Sequence, residues 1–210
     1  MTRTDDRSAA LRAVRSLEDS PALDPVIERV RPVVADLLAR RPDVAGLLHG
    51  RPLGHALHPV LTDVPIGLWS SAVVLDVTGG PSARPHTERL IGLGILAALP
   101  TALTGVADWA ASGRRTRRVG SAHAALNSVG LGLFTASWVL RRRGAHTWGV
   151  AASLAATGLV GAGGYLGGHM TSRLGAPPRG LSGPPTTRPT PDADEVEVGA
   201  APEDGAPVAV

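Results

Sequence analysis

Three histidines and an aspartate fall within fifteen residues of one another, in the stretch that runs from His49 through His55 and His58 to Asp63. Further on, Asp108, His123, Asn127, Tyr165 and His169 stand out as polar groups at the ends of long apolar runs. Imidazole and carboxylate together suit zinc or non-haem iron, so His55, His58, Asp63 and Asp108 form one candidate metal set. Two imidazoles from different helices at equal depth suit the axial positions of a b-type haem. His123 and His169 are that candidate pair, with Asn127 and Tyr165 one turn away as supporting groups. The same residues have two blander uses. Neutral His, Asn and Thr hydrogen-bond between membrane helices for about 0.6–2 kcal/mol each and hold them together, and Asp63, Asp108 and His123 could line a proton or ion pathway.

No nucleophile motif competes with these readings. There is no cysteine, hence no disulfide, no thiolate and no Cys-ligated iron–sulphur cluster. Neither a Gly-x-Ser-x-Gly elbow nor His-Glu-x-x-His occurs, which argues against a hydrolase. The glycines of the last apolar run (Gly158 to Gly168) follow no strand, so they read as helix-contact residues rather than a nucleotide loop.

The elements that must position these groups are membrane spans. Aromatic residues make up only 3% of the chain while Gly and Pro number 26 and 18, a composition poor in the large rings on which soluble cores rely. Small residues that let helix backbones approach closely serve packing in lipid instead. Crossing a bilayer takes about 20 apolar residues. Four runs qualify, at about residues 60–77, 90–111, 119–140 and 148–170, and none carries the charged outer face of a soluble bundle helix. The fold expected is therefore all-α: an integral membrane four-helix up-down bundle occupying residues 51–175, with an N-terminal cytoplasmic or interfacial helical segment.

In such a bundle the starts of odd spans and the ends of even spans share one membrane face. His55, His58 and Asp63 begin the first span, Asp108 ends the second, His123 and Asn127 begin the third, and Tyr165 and His169 end the fourth. All lie at one end. His123 and His169 sit about 6–8 Å inside their flanking arginines at 1.5 Å per residue. Asp76 alone falls at the opposite end.

The flanks divide by composition. Residues 1–20 are polar and expected to be disordered, without the apolar core of a cleaved signal peptide. Residues 21–50 read as an amphipathic helical segment, with Asp24 as N-cap, Pro25 in the first turn and Pro32 as a kink or break. Residues 176–210, rich in Pro, Gly and acid, are expected to form a disordered tail. Every basic residue is arginine, and these residues crowd the N-terminal, central and C-terminal flanks more than the two remaining loops. That bias places both termini in the cytoplasm and the protein in the inner membrane. Arginines that border spans without interleaved aromatics point to membrane lipid as partner, and to no nucleic acid.

Gly54-His55-Ala56-Leu57-His58-Pro59 followed by Pro65-Ile66-Gly67-Leu68-Trp69 resembles the G-H-P-L-H-P…P-I-G-L-W signature of an uncharacterised bacterial four-span membrane family. The resemblance continues through Val74-Leu75-Asp76, Leu99-Pro100-Thr101, Gly105 to Trp109, His123 to Asn127 and Gly163 to Gly168, with Ala56 in place of the family proline. Some members of that family carry a Rieske iron–sulphur domain after the fourth span, and this chain, lacking cysteine, does not. The resemblance implies four spans and a separately encoded iron–sulphur redox partner, but no activity of its own. The function expected is that of a multi-pass membrane protein whose polar cluster is either a haem or metal electron-transfer centre, a structural connection, or an ion pathway.

Overall fold

In a computed structural model, residues 8–178 and 180 are described. Most of the expected tail therefore lies outside the described residues. Those described are helical, with no strand among them.

Among the described residues seven α-helices follow one another: α1 (Ala9–Asp19), α2 (Asp24–Ala39), α3 (Pro42–Leu48), α4 (Leu57–Thr78), α5 (Arg84–Ala111), α6 (Arg114–Arg142) and α7 (His146–Arg173). Single 3-10 turns, Pro21–Leu23, Arg51–Leu53 and Pro81–Ala83, introduce α2, α4 and α5. α4 packs on α5, α5 on α6, α6 on α7, and α7 returns to α4. The N-terminal ends of α4 and α6 meet the C-terminal ends of α5 and α7, because His58 touches Thr101 and Thr104 while His123 touches Gly163.

Among the described residues three helices can cross a membrane by length and hydropathy: Leu57–Thr78, Pro81–Ala111 and His146–Arg173, with mean hydropathies of 1.5, 2.0 and 1.3. α6, expected to hold the third of four spans, is not among them. It is long enough, but arginines crowd both ends and Ser121, His123, Asn127, Ser128 and Ser137 dilute its apolar residues. Much of that polarity is inward: Arg118, Ser137 and Arg141 are all buried.

The prolines do not interrupt the helices. Pro65 has no N–H to give the Leu61 carbonyl. The Thr101 hydroxyl of α5 lies 3.1 Å from that carbonyl and 2.9 Å from Ala97 O, so it satisfies the group that proline frees. α2 likewise runs through Pro32 without a break, where a kink or split was expected.

The core is built on one aromatic pair. Trp69 and Phe134 stack with ring centroids 4.1 Å apart and planes 12° from parallel, beside the buried Ala72, Ile91 and Ala156. Gly94 is what admits the indole, since a Cβ there would stand 2.3 Å from Trp69 Nε1.

The N-terminal expectation needs correction. Ala9–Asp19, within the segment expected to be disordered, forms α1. Ser8 caps it by accepting the Leu11 N–H at 3.2 Å. An eleven-residue helix is marginal alone. α1 is held by Val14 and Leu17, which pack against Val119, Leu166 and Met170 of α6 and α7. Asp24 is not a cap either: α2 starts with no side-chain capping bond, and the Asp24 carboxylate is turned to another helix.

Candidate functional site

The polar groups gather at two opposite ends of the long helices. At the first end, His58 of α4 and His123 of α6 meet with ring centroids 6.4 Å apart and planes at 81°. Glycines make the room. A Cβ on Gly105 of α5 would lie 2.7 Å from the His58 ring, and one on Gly167 of α7 would lie 3.3 Å from that of His123. All four long helices contribute to this contact.

Hydrogen bonding fixes the ring protons. His123 Nδ1 lies 2.7 Å from Gly163 O, and a carbonyl only accepts, so Nδ1 donates. The Asn127 amide nitrogen donates to His123 O at 2.9 Å and faces His123 Nε2 at 3.2 Å, which makes Nε2 an acceptor. His123 is therefore a neutral imidazole with both nitrogens engaged. His58 Nδ1 donates to Thr101 O at 2.9 Å, with the Thr104 hydroxyl alongside at 3.4 Å.

His169, Asp108 and Arg118 at this end pair with the N-terminal segment. His169 Nε2 lies 2.6 Å from Glu18 Oε1, and both side chains are nearly buried. His49 Nδ1 lies 2.9 Å from Asp108 Oδ1, also buried, while Asp108 Oδ2 has no hydrogen-bond partner among the described residues. Arg118 forms a two-pronged pair with Asp24 at 2.8 and 2.6 Å and donates to Glu18 O at 2.9 Å. Arg31 of α2 donates to Ala110 O at 3.2 Å. The hydrogen bond from Arg118, helped by its charge and by those of Arg114 and Arg117, holds the Asp24 carboxyl below the usual carboxylate range against the opposing effect of burial.

The residues singled out in the sequence separate in space. His58, His123 and Asn127 come together, with Thr101 and Thr104. His169 is joined to Glu18 and Asp108 to His49. His55, Asp63 and Tyr165 are exposed. His55 stands in the loop where Gly50 adopts φ 74°, and a Cβ on Gly50 would collide with the His55 carbonyl at 2.0 Å. Among the described residues no three or more His, Asp or Glu side chains converge to hold a metal ion. Glu18 escaped sequence reasoning, and its signal was the Leu11, Val14, Leu17 spacing of a short amphipathic helix. His49 was visible in the His-rich stretch, but nothing there pointed to Asp108.

At the far end Asp76 of α4 and Arg141 of α6 form a two-pronged ion pair at 2.9 and 2.6 Å, with side chains only 3% and 2% exposed. Ser137 and Ser153 complete the guanidinium's partners at 3.1 and 3.2 Å.

Residues 54–177 match a family model described as predicted membrane protein (DUF2231). No curated protein and no solved structure matches the chain.

Proposed function

The chain belongs to this family of predicted membrane proteins, and from that premise we propose a four-span protein of the inner membrane whose His/Asp cluster fastens a helical cap over one end. Large apolar side chains face outward along α4 and α5, among them Val60, Val64, Val74, Leu93, Leu96, Leu99 and Leu103. Surfaces of that kind are lipid-facing. α6 is the third span of the up-down bundle, between α5 and α7 in the chain. Its polar side chains are tolerated because they bond to neighbouring helices rather than face lipid. Both termini lie in the cytoplasm. Arg118 and Arg141 are neutralised by Asp24 and Asp76, which removes one charge from each side of the arginine count and leaves its bias intact.

One observation carries the reading of the cluster. His169, Asp108 and Arg118 each take their partner from residues 8–53, the segment that precedes the family match. The cluster thus joins cap to spans. α2 turns Val26, Val30, Val33 and Leu37 outward at helical spacing while Ile27 is buried, the pattern of a helix lying in the lipid interface.

The test uses the full chain in maltoside micelles. Combined Glu18→Gln, Asp24→Asn and His49→Gln substitutions are expected to lower amide-exchange protection of α1 and α2 by about tenfold or more while leaving α5 and α7 unchanged. Wild-type protection of α1 and α2 should also depend on pH. A carboxyl with a depressed folded pKa contributes docking free energy above its unfolded value, about 3.9. Asp24 is such a carboxyl; its contribution is lost as pH falls through the lower folded value, so the intrinsic-rate-corrected protection should drop below about pH 4. Unchanged protection in the triple variant would reject the cap. A Soret band or stoichiometric metal in the purified protein, lost in His123→Ala or His58→Ala, would replace this reading by an electron-transfer centre with an iron–sulphur partner.

A further inference from the structure

The end opposite the cap holds a cleft of about 450 Å³. Its floor is Asp76, whose two oxygens are both occupied by Arg141. That pair is internally neutral. The rim carries Arg84 and His146, and Arg84 is exposed, its guanidinium in no hydrogen bond or ion pair among the described residues. Gly80 and Pro81, at the start of the turn leading into α5, line the cleft together with Thr147 in the first turn of α7. α7 starts with no side-chain cap on its first turn, and the positive end of this long helix lies beside Arg84 at the cleft. The outer wall is apolar, formed by Val150 and the half-exposed Leu154.

We propose that this cleft binds a phosphate group bearing net negative charge. The guanidinium of Arg84 supplies a planar donor fork for phosphate oxygens, and His146 and the Thr147 hydroxyl supply further polar contacts. Such a phosphate comes either from an anionic phospholipid head group, whose hydrocarbon would lie along Val150 and Leu154, or from a free anion. This site is independent of the cap, since no residue of α1, α2 or α3 lines it.

The experiment uses the full chain in phosphate-free maltoside micelles, with phosphatidylglycerol and inorganic phosphate titrated separately. Binding is followed by thermal melting and, for the lipid, by adducts counted in native mass spectrometry. Arg84→Gln is expected to weaken binding by about tenfold, as is His146→Gln to a smaller degree. Arg89→Gln, on an exposed arginine of the same end that does not line the cleft, is expected to leave it unchanged. Stabilisation by phosphatidylglycerol alone assigns the site to lipid, and stabilisation by both probes assigns it to phosphate as such. Absence of binding by either probe overturns the proposal. So does an Arg89→Gln loss equal to that of Arg84→Gln, which would mean general surface charge.

Discussion

Asp76→Ala is expected to destabilise the folded helices by about 3–5 kcal/mol, the cost of leaving a buried charge without its partner. The Arg141 guanidinium is 2% exposed and reaches both oxygens of Asp76 at 2.9 and 2.6 Å. With the carboxylate gone, only the hydroxyls of Ser137 and Ser153 remain to it among the described residues, and hydroxyls do not neutralise a charge. The double variant Asp76→Leu with Arg141→Met removes both charges and retains side-chain bulk. It should be much closer to wild type, because replacing a whole buried pair by apolar residues is often neutral. Reversible unfolding in mixed detergent micelles measures both. A loss below about 1 kcal/mol in the single variant would place the pair in the class of exposed ion pairs, which its burial contradicts.

Trp69→Ala is the second large effect, expected at about 3 kcal/mol, the lower end of the range for deleting a buried aromatic. Trp69 is 7% exposed and stacks on Phe134, and its Nε1 donates to Ile91 O at 3.4 Å. Between helices in lipid the transfer share of such a loss shrinks, because hydrocarbon surrounds both states. What remains is lost packing and the aromatic pair itself, worth about 0.5–1.5 kcal/mol. Gly94→Leu attacks the same contact from the other side by driving a side chain into the indole. The same unfolding assay reads both, and near-wild-type stability of either variant would show that the stack is not the centre of the core.

The apolar lengths of α4, α5 and α7 were legible because a lipid-facing helix must be apolar along its whole length. α6 was legible as a helix, but its polar content lowers the apolar signal that marks a span. Alternation of direction brought His58 and His123 to the same end, and the structure places their rings 6.4 Å apart. The partners of Asp76 and His169 could not be read. Arg141 lies 65 positions from Asp76, in a run that composition assigns to a solvated loop, and Glu18 lies 151 positions from His169. Pairings so distant are decided by packing, which leaves no periodic trace. Tyr165 shows the limit of helical spacing. It is one turn from His169, yet it is 48% exposed while Leu166 is buried against α1 and α6.

The docked cap is most directly tested by cross-linking in lipid nanodiscs. The chain has no cysteine, so Leu17→Cys with Met170→Cys introduces a single pair, at two positions that pack on one apolar cluster shared by α1, α6 and α7. A short bismaleimide should join them within one chain in high yield. Leu17→Cys with Trp148→Cys should not be joined, because Trp148 is exposed at the other end of α7, about 33 Å away at 1.5 Å per residue. Equal yields for the two pairs, or none for Leu17 with Met170, would contradict a cap held on the His-bearing end.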